Sequence, residues 1–159
     1  GLPVVFKNVI CGFHASFLTS VHPASLFVHI RRDPFAAAAS ILQSRLARYG
    51  SYDNWWSLKP STYRVLAAMS DPVDQVAGQV TACAREFDTE LTQPGVLSML
   101  VNFEDLWKRP GRVLEAICAR LAQIGAPIDP LSDAMPELQP PEAESLPGEM
   151  ERKLRTHFA

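Results

Sequence analysis

Excess charge of one sign, paired cysteines and long apolar runs are what this chain has least of. Its 15 Lys and Arg nearly balance 17 Asp and Glu, for a net charge of −2. No bulk field therefore draws nucleic acid or an anionic membrane toward it, and a bound anion must be held by a few placed side chains. The three cysteines, Cys11, Cys83 and Cys118, are odd in number and widely spaced. None forms a CxxC pair or stands beside a histidine at metal-ligand separation, so neither a disulfide framework nor a metal site is expected; small buried hydrophobes in a reducing, cytoplasmic setting are. No apolar run approaches the roughly 20 residues of a membrane helix, and no leader-like series opens the chain. There is no internal repeat.

What is present is an alternation of strand-like and helix-like segments over 159 residues, enough for one domain. "PVVF", Pro3 to Phe6, reads as a short buried strand ending in Lys7 and Asn8, and about Gly12 to Ser20 suits a short helix. "SLFVHI", Ser25 to Ile30, is a compact β-rich run closed by Arg31 and Arg32. Asp33 can cap a helix that opens at Pro34, where a missing N–H costs nothing, and that runs to about Ala47. Tyr49 to Pro60 is a loop carrying Trp55 and Trp56. After Asp71 and Pro72, the residues Val73, Val76, Ala77, Val80, Ala84, Phe87 and Leu91 recur with helical spacing and predict a buried helix face. "VLSMLVNF" gives another strand, and Pro110 opens a helix bearing Val113, Leu114, Ile117, Leu121 and Ile124 that stops at Gly125. Residues 126–148 are rich in Pro and Glu and predict an irregular segment; a short amphipathic helix closes the chain. The alternation predicts an α/β fold, a parallel sheet with flanking helices.

In an open parallel sheet ligands gather at the carboxyl ends of strands. Lys7 and Asn8, Arg31 and Arg32, and Glu104 and Asp105 follow the three predicted strands and would share one edge. Arg32 offers a planar fork suited to phosphate oxygens, and Ser40, eight residues on, offers a hydroxyl, with four small alanines between them. The competing reading pairs Arg32 with Glu104 or Asp105 and turns Ser40 back onto a helix carbonyl.

"FVHIRRDPFAAAAS" resembles the 3′-phosphate-binding segment of sulfotransferases that use 3′-phosphoadenosine 5′-phosphosulfate (PAPS), in which a strand ends in Arg-Asp-Pro and a serine follows eight residues after the arginine. "VVFKN" is similar to that family's strand ending in lysine, and "MLVNFEDLWKRPGRVLEAICARLAQIG" to its strand and helix further on. The three come in the family's order over about Val4 to Gly125, and the tryptophan loop resembles broad bacterial sulfotransferases. The resemblance implies a P-loop nucleotide-kinase-like fold and sulfuryl transfer from PAPS, in line and without a metal, to an acceptor hydroxyl or amine. It implies that Arg32 and Ser40 hold the 3′-phosphate and that Lys7 lies near the transferring group, where an ammonium offsets developing charge.

The departures are specific. The family's glycine-rich cradle for the 5′-phosphosulfate has no counterpart here, so the chain is expected to be the C-terminal part of such an enzyme, truncated at its N-terminus. Some members carry a histidine two residues after the lysine, where this chain has Val9; His14 is the nearest histidine and the candidate base, with a structural role as the alternative. "MERKLR" supplies Arg152 and Lys153 without the glycines of the family's C-terminal 3′-phosphate segment. Phe103 replaces a common tyrosine, Glu104 is expected to be structural, and Arg109 stands where an aspartate often caps the next helix. Trp55 and Trp56 either line an acceptor pocket or serve as core and loop cover. Two rivals stand beside the transferase: a small-molecule kinase fragment, and a non-catalytic nucleotide-binding or interaction module, whose exposed sheet edge would drive self-association.

Overall fold

The computed structural model describes residues 4–128, 139–140 and 145–159. In chain order these form a 3-10 turn Ile10–His14, α1 Ala15–Val21, β1 Phe27–Arg31, α2 Pro34–Tyr49, α3 Tyr63–Ala67, α4 Pro72–Leu91, β2 Ser98–Asn102, α5 Phe103–Lys108, α6 Pro110–Gln123 and α7 Gly148–His157. β1 and β2 are parallel, Phe27 facing Ser98 and Arg31 facing Asn102. The α/β class with a parallel sheet and flanking helices is thus as the alternation implied. The chain divides into two compact units: a sheet unit of Gly1–Arg31 with Phe87–Pro141, and a helical unit of Arg32–Glu86 with Glu142–Ala159.

In the helical unit α2 begins and ends where its chemistry dictates. The Asp33 carboxylate accepts a hydrogen bond from the Ala36 amide at 2.8 Å, Pro34 opens the first turn, and Gly50 closes the helix in the left-handed region at φ 68°. Ala38, Ala39 and Leu42 form its buried stripe and meet Val73, Val76 and Ala77 of α4. Asp71 caps α4 by accepting from the Val73 amide at 2.7 Å. Leu154 of α7 and Leu146 complete this core. A Cβ at Gly78 would run into the Leu66 side chain, so α3 packs onto α4 where no side chain intervenes. Lys153 ties α7 down through Asp71 at 2.7 Å and Asp74 at 2.8 Å, and His157 meets Asp74 at 2.9 Å. The Lys153 ammonium, followed by backbone amides, holds the Asp71 carboxyl below the usual carboxylate range; the same ammonium, with His157, does so for Asp74.

In the sheet unit Phe87 packs against Phe13, ring centroids 4.6 Å apart, and meets the edge of His29 at 5.6 Å. The Ser16 amide and hydroxyl both donate to Glu90, at 3.1 and 2.7 Å. The Ser98 hydroxyl donates to the Leu91 carbonyl at 2.9 Å, fixing the approach to β2.

Several expectations change. The described part of the predicted first strand, residues 4–6, has no regular structure and is exposed, Val5 at 89%; an apolar run becomes a strand only where a ladder takes up its backbone groups. Ala84 is exposed and Cys83 buried on α4, and α6 carries its apolar stripe half-exposed with no buried residue. Of the cysteines only Cys83 is buried, its thiol pushed up to about 12 by desolvation and then by Glu86, while Cys11 and Cys118 are half-exposed. Most of the irregular segment expected over 126–148 lies outside the described residues. No helix among the described residues is long and apolar enough to cross a membrane.

Candidate functional site

Arg32 stands, half-exposed, between the last residue of β1 and the Asp33 cap of α2. Ser40 follows Asp33 by seven residues, close to two helical turns, so it returns to the face on which the helix begins, about 10 Å along the axis. Ala36, Ala37 and Ser40 are all half-exposed on that face, turned away from the Ala38–Leu42 stripe. The Asp33 side chain and carbonyl take up the Ala36 and Ala37 amides, so what this face presents beside the guanidinium is the methyl groups of Ala36 and Ala37 and, beyond them, the Ser40 hydroxyl. This surface carries a cationic group and a hydroxyl on one side of the helix start, with the small side chains of Ala36 and Ala37 on the same face.

Lys7 and His14 belong to the sheet unit. Lys7 is exposed in the segment without regular structure, and His14 is exposed at the end of the 3-10 turn. His14 lies close enough to Glu90 for its charge to bear on that carboxyl, which the Ser16 hydroxyl and then the Ser16 amide hold below the usual range. Of the carboxylates proposed to compete for Arg32, Asp105 is bound by Arg109 at 2.8 Å. Arg31, the other arginine of the pair, forms an ion pair with Asp88. Burial, then the Arg31 charge, lowers the pKa of His29 between them, and Asp88 opposes this. Arg109 makes no side-chain cap on α6, so the capping contribution of the family's aspartate is absent and the cation instead closes an i, i+4 pair. Lys153 is committed to Asp71 and Asp74.

Trp55 and Trp56 are half-buried in the loop between α2 and α3. The Trp55 indole donates to the Leu58 carbonyl at 3.1 Å and meets Tyr63 edge-on at 4.8 Å. Over Trp56 the Arg48 guanidinium lies 3.9 Å from the ring centroid. Beneath this loop is a feature sequence reasoning missed: Arg45, fully buried, with Gln75 and Gln79 buried beside it. The signal was there, because Arg45 falls three positions after Leu42 on the apolar stripe of α2, where a charge is out of place. Burial lowers the pKa of Arg45, and the charge of Asp53 opposes this.

Two open depressions are lined by other residues than Arg32, Ser40, Lys7 or His14. One, of about 240 Å³, runs along Leu100, Asn102, Arg109 and Val113 in the sheet unit. The other, of about 430 Å³, lies among Tyr52, Asp71, Met150 and Lys153 in the helical unit.

No curated protein and no solved structure matches the chain significantly. The sequence profile described as the sulfotransferase family matches residues 5–125, most of the 159 residues, and that span contains β1, the capped start of α2, the tryptophan loop, β2, α5 and α6. The chain belongs to the sulfotransferase family.

Proposed function

We propose that this chain carries the nucleotide-holding part of an enzyme that transfers a sulfuryl group from PAPS to an acceptor hydroxyl or amine. The observation that supports it most is local: a strand ends at Arg31, Arg32 follows, and a helix capped by Asp33 brings Ser40 back to its starting face. In this reading Arg32 and Ser40 hold the 3′-phosphate through charge-assisted hydrogen bonds. The Lys7 ammonium offsets charge on the transferring group, and its place in an exposed, irregular segment leaves it reachable by a ligand. His14, near the Glu90 carboxylate, takes the acceptor proton. The donor supplies the sulfuryl group, which passes to the acceptor oxygen or nitrogen as 3′-phosphoadenosine 5′-phosphate departs. The acceptor meets the loop of Trp55 and Trp56, whose flat faces suit a ring or a sugar. The balanced charge and modest cysteine use favour a cytoplasmic setting without a nucleic-acid or membrane partner.

The exposed apolar residues of the sheet unit, Ile30 and Leu100 among them, support self-association as a second property of the chain. A calorimetric titration tests the main proposal. Binding of 3′-phosphoadenosine 5′-phosphate in preference to ATP, lost in Arg32→Ala, is the expected result. Preference for ATP points to a kinase, and no binding of either nucleotide points to a module without catalysis.

A further inference from the structure

The loop that carries the two tryptophans rests on a buried polar network separate from Arg32 and Ser40 in its hydrogen bonds. Arg45 is fully buried, yet every group that it bonds is neutral. Its Nη1 donates to the Tyr52 carbonyl at 3.0 Å and to Gln75 Oε1 at 2.8 Å, and its Nη2 reaches Gln79 Oε1 at 3.5 Å. Nε is buried without a hydrogen-bond partner, and among the described residues no carboxylate forms an ion pair with the guanidinium. On its flat side lies Trp55, the ring centroid 5.3 Å from Cζ. A desolvated guanidinium is costly, and an apolar side chain here would fill the stripe of α2 without that cost. The guanidinium is therefore a poor choice for stability alone, and what it gains is the position of the loop.

Gln79 completes the clamp. Its Nε2 donates to the carbonyls of Trp56 and Leu58, both at 2.8 Å, and so brackets Ser57. Ser57 has φ 72°, a left-handed conformation that costs a non-glycine residue about 1–2 kcal/mol. The turn is held by the two carbonyls on either side of its strained residue. The indoles themselves divide. Trp55 is fixed on three sides, by Leu58, Tyr63 and Arg45. Trp56 instead borders exposed groups, with Arg48 over its face and Tyr49 at its edge, 6.5 Å between centroids.

We propose that Arg45, acting with Gln79, is a positioning residue that fixes the loop of residues 51–60 as a standing wall, with Trp55 as its anchor and Trp56, flanked by Arg48 and Tyr49, as the face offered to the acceptor. The acceptor class follows from that face: a flat ring or sugar, with a guanidinium placed to meet an anionic substituent. The acceptor half of this inference rests on the sulfotransferase reading; the clamp itself does not.

The test uses the full chain, hydrogen exchange of the loop, and sulfuryl transfer from PAPS to 4-nitrophenol. In Arg45→Met the amides of 51–60 exchange at least about tenfold faster relative to those of α4, KM for 4-nitrophenol rises about tenfold, and kcat and the affinity for 3′-phosphoadenosine 5′-phosphate stay within about threefold. Trp56→Ala, outside the buried network, raises the same KM with loop exchange unchanged. Trp55→Ala speeds loop exchange as Arg45→Met does, and carries that arm if Arg45→Met does not fold. Native loop exchange in Arg45→Met, an unchanged KM in either Arg45→Met or Trp56→Ala, or parallel loss of nucleotide and acceptor binding overturns the proposal. If the wild-type chain binds 3′-phosphoadenosine 5′-phosphate but transfers no sulfuryl group, the Kd of 4-nitrophenol replaces KM in each comparison; if it binds neither, the sulfotransferase reading is what fails, and loop exchange still decides the role of Arg45.

Discussion

The helical unit and the sheet unit spend similar apolar sequence very differently. In the helical unit Leu42, Val76 and Leu154 are wholly or almost wholly buried, and α2, α4 and α7 share one core. In the sheet unit Val4, Val5, Phe6, Phe17, Ile30 and Leu100 are each at least 49% exposed, and α6 buries no residue. Burial of a Leu or Val side chain is worth roughly 1.5–3 kcal/mol, so the helical unit draws its stability from packing while the sheet unit leaves much of that energy unrealised. The difference teaches that the amphipathic pattern of a helix such as α6 specifies which face is apolar, and a neighbouring surface decides whether it is buried.

Truncating equal side chains in the two units tests the comparison where the effect is largest. Leu42→Ala is expected to lower unfolding stability by about 3 kcal/mol, as cavity-forming leucine truncations do, whereas Leu100→Ala changes it by less than about 0.5 kcal/mol. Urea denaturation of both variants reads the gap, and equal losses break the comparison.

Acid sensitivity comes next. Asp71 and Asp74 are held below the ordinary carboxylate range by Lys153, so their contribution is complete above the unfolded-state value near pH 4 and is lost as pH falls through the lower folded values. Thermal melting is therefore expected to be flat from pH 7 to about pH 5 and to fall below about pH 4. Lys153→Met should melt earlier than wild type at pH 7, with the difference narrowing in acid; a constant difference removes the electrostatic account. The pairs are partly exposed, so 1 M salt should shrink the same difference.

On the sheet side, Ile30→Lys combined with Leu100→Lys should reduce self-association in sedimentation with little change in melting temperature. An unchanged sedimentation profile that still shows oligomers places the contact elsewhere. The smallest effect is expected at Ser57→Gly, where relief of the left-handed conformation is partly offset by the flexibility glycine adds to the unfolded chain; a gain below about 1 kcal/mol in urea denaturation is predicted.

Punctuation made much of the fold legible in the sequence. Asp33-Pro34 and Gly50 bound α2, Asp71-Pro72 opens α4, β2 falls inside the apolar run that predicted it, and β1 overlaps its run from Phe27 to Ile30 and extends one residue past it to Arg31. α3 and α5 were not foreseen, being five and six residues long, too short for a period to declare itself. The segment at Val4–Phe6 misled because strand propensity is a statement about half-buried, paired surroundings. Of the candidate site, Arg32, Asp33 and Ser40 could be read as a linear motif. Arg45 could not, since its partners Gln75 and Gln79 come from another helix and its carbonyl acceptor from the loop. A charge on an apolar stripe marks such a residue without naming what it bonds.

The central claim is that Arg32 and Ser40 recognise a phosphate on the 3′ position of a nucleotide. The ratio of affinities for 3′-phosphoadenosine 5′-phosphate and adenosine 5′-phosphate, measured by calorimetry in the wild type, Ser40→Ala and Arg32→Ala, tests it most directly. The account predicts a wild-type preference of at least about tenfold, the size of one charge-assisted hydrogen bond, reduced in Ser40→Ala and abolished in Arg32→Ala with adenosine 5′-phosphate binding unchanged. Equal affinity for the two nucleotides in the wild type, or a preference that survives Arg32→Ala, contradicts it.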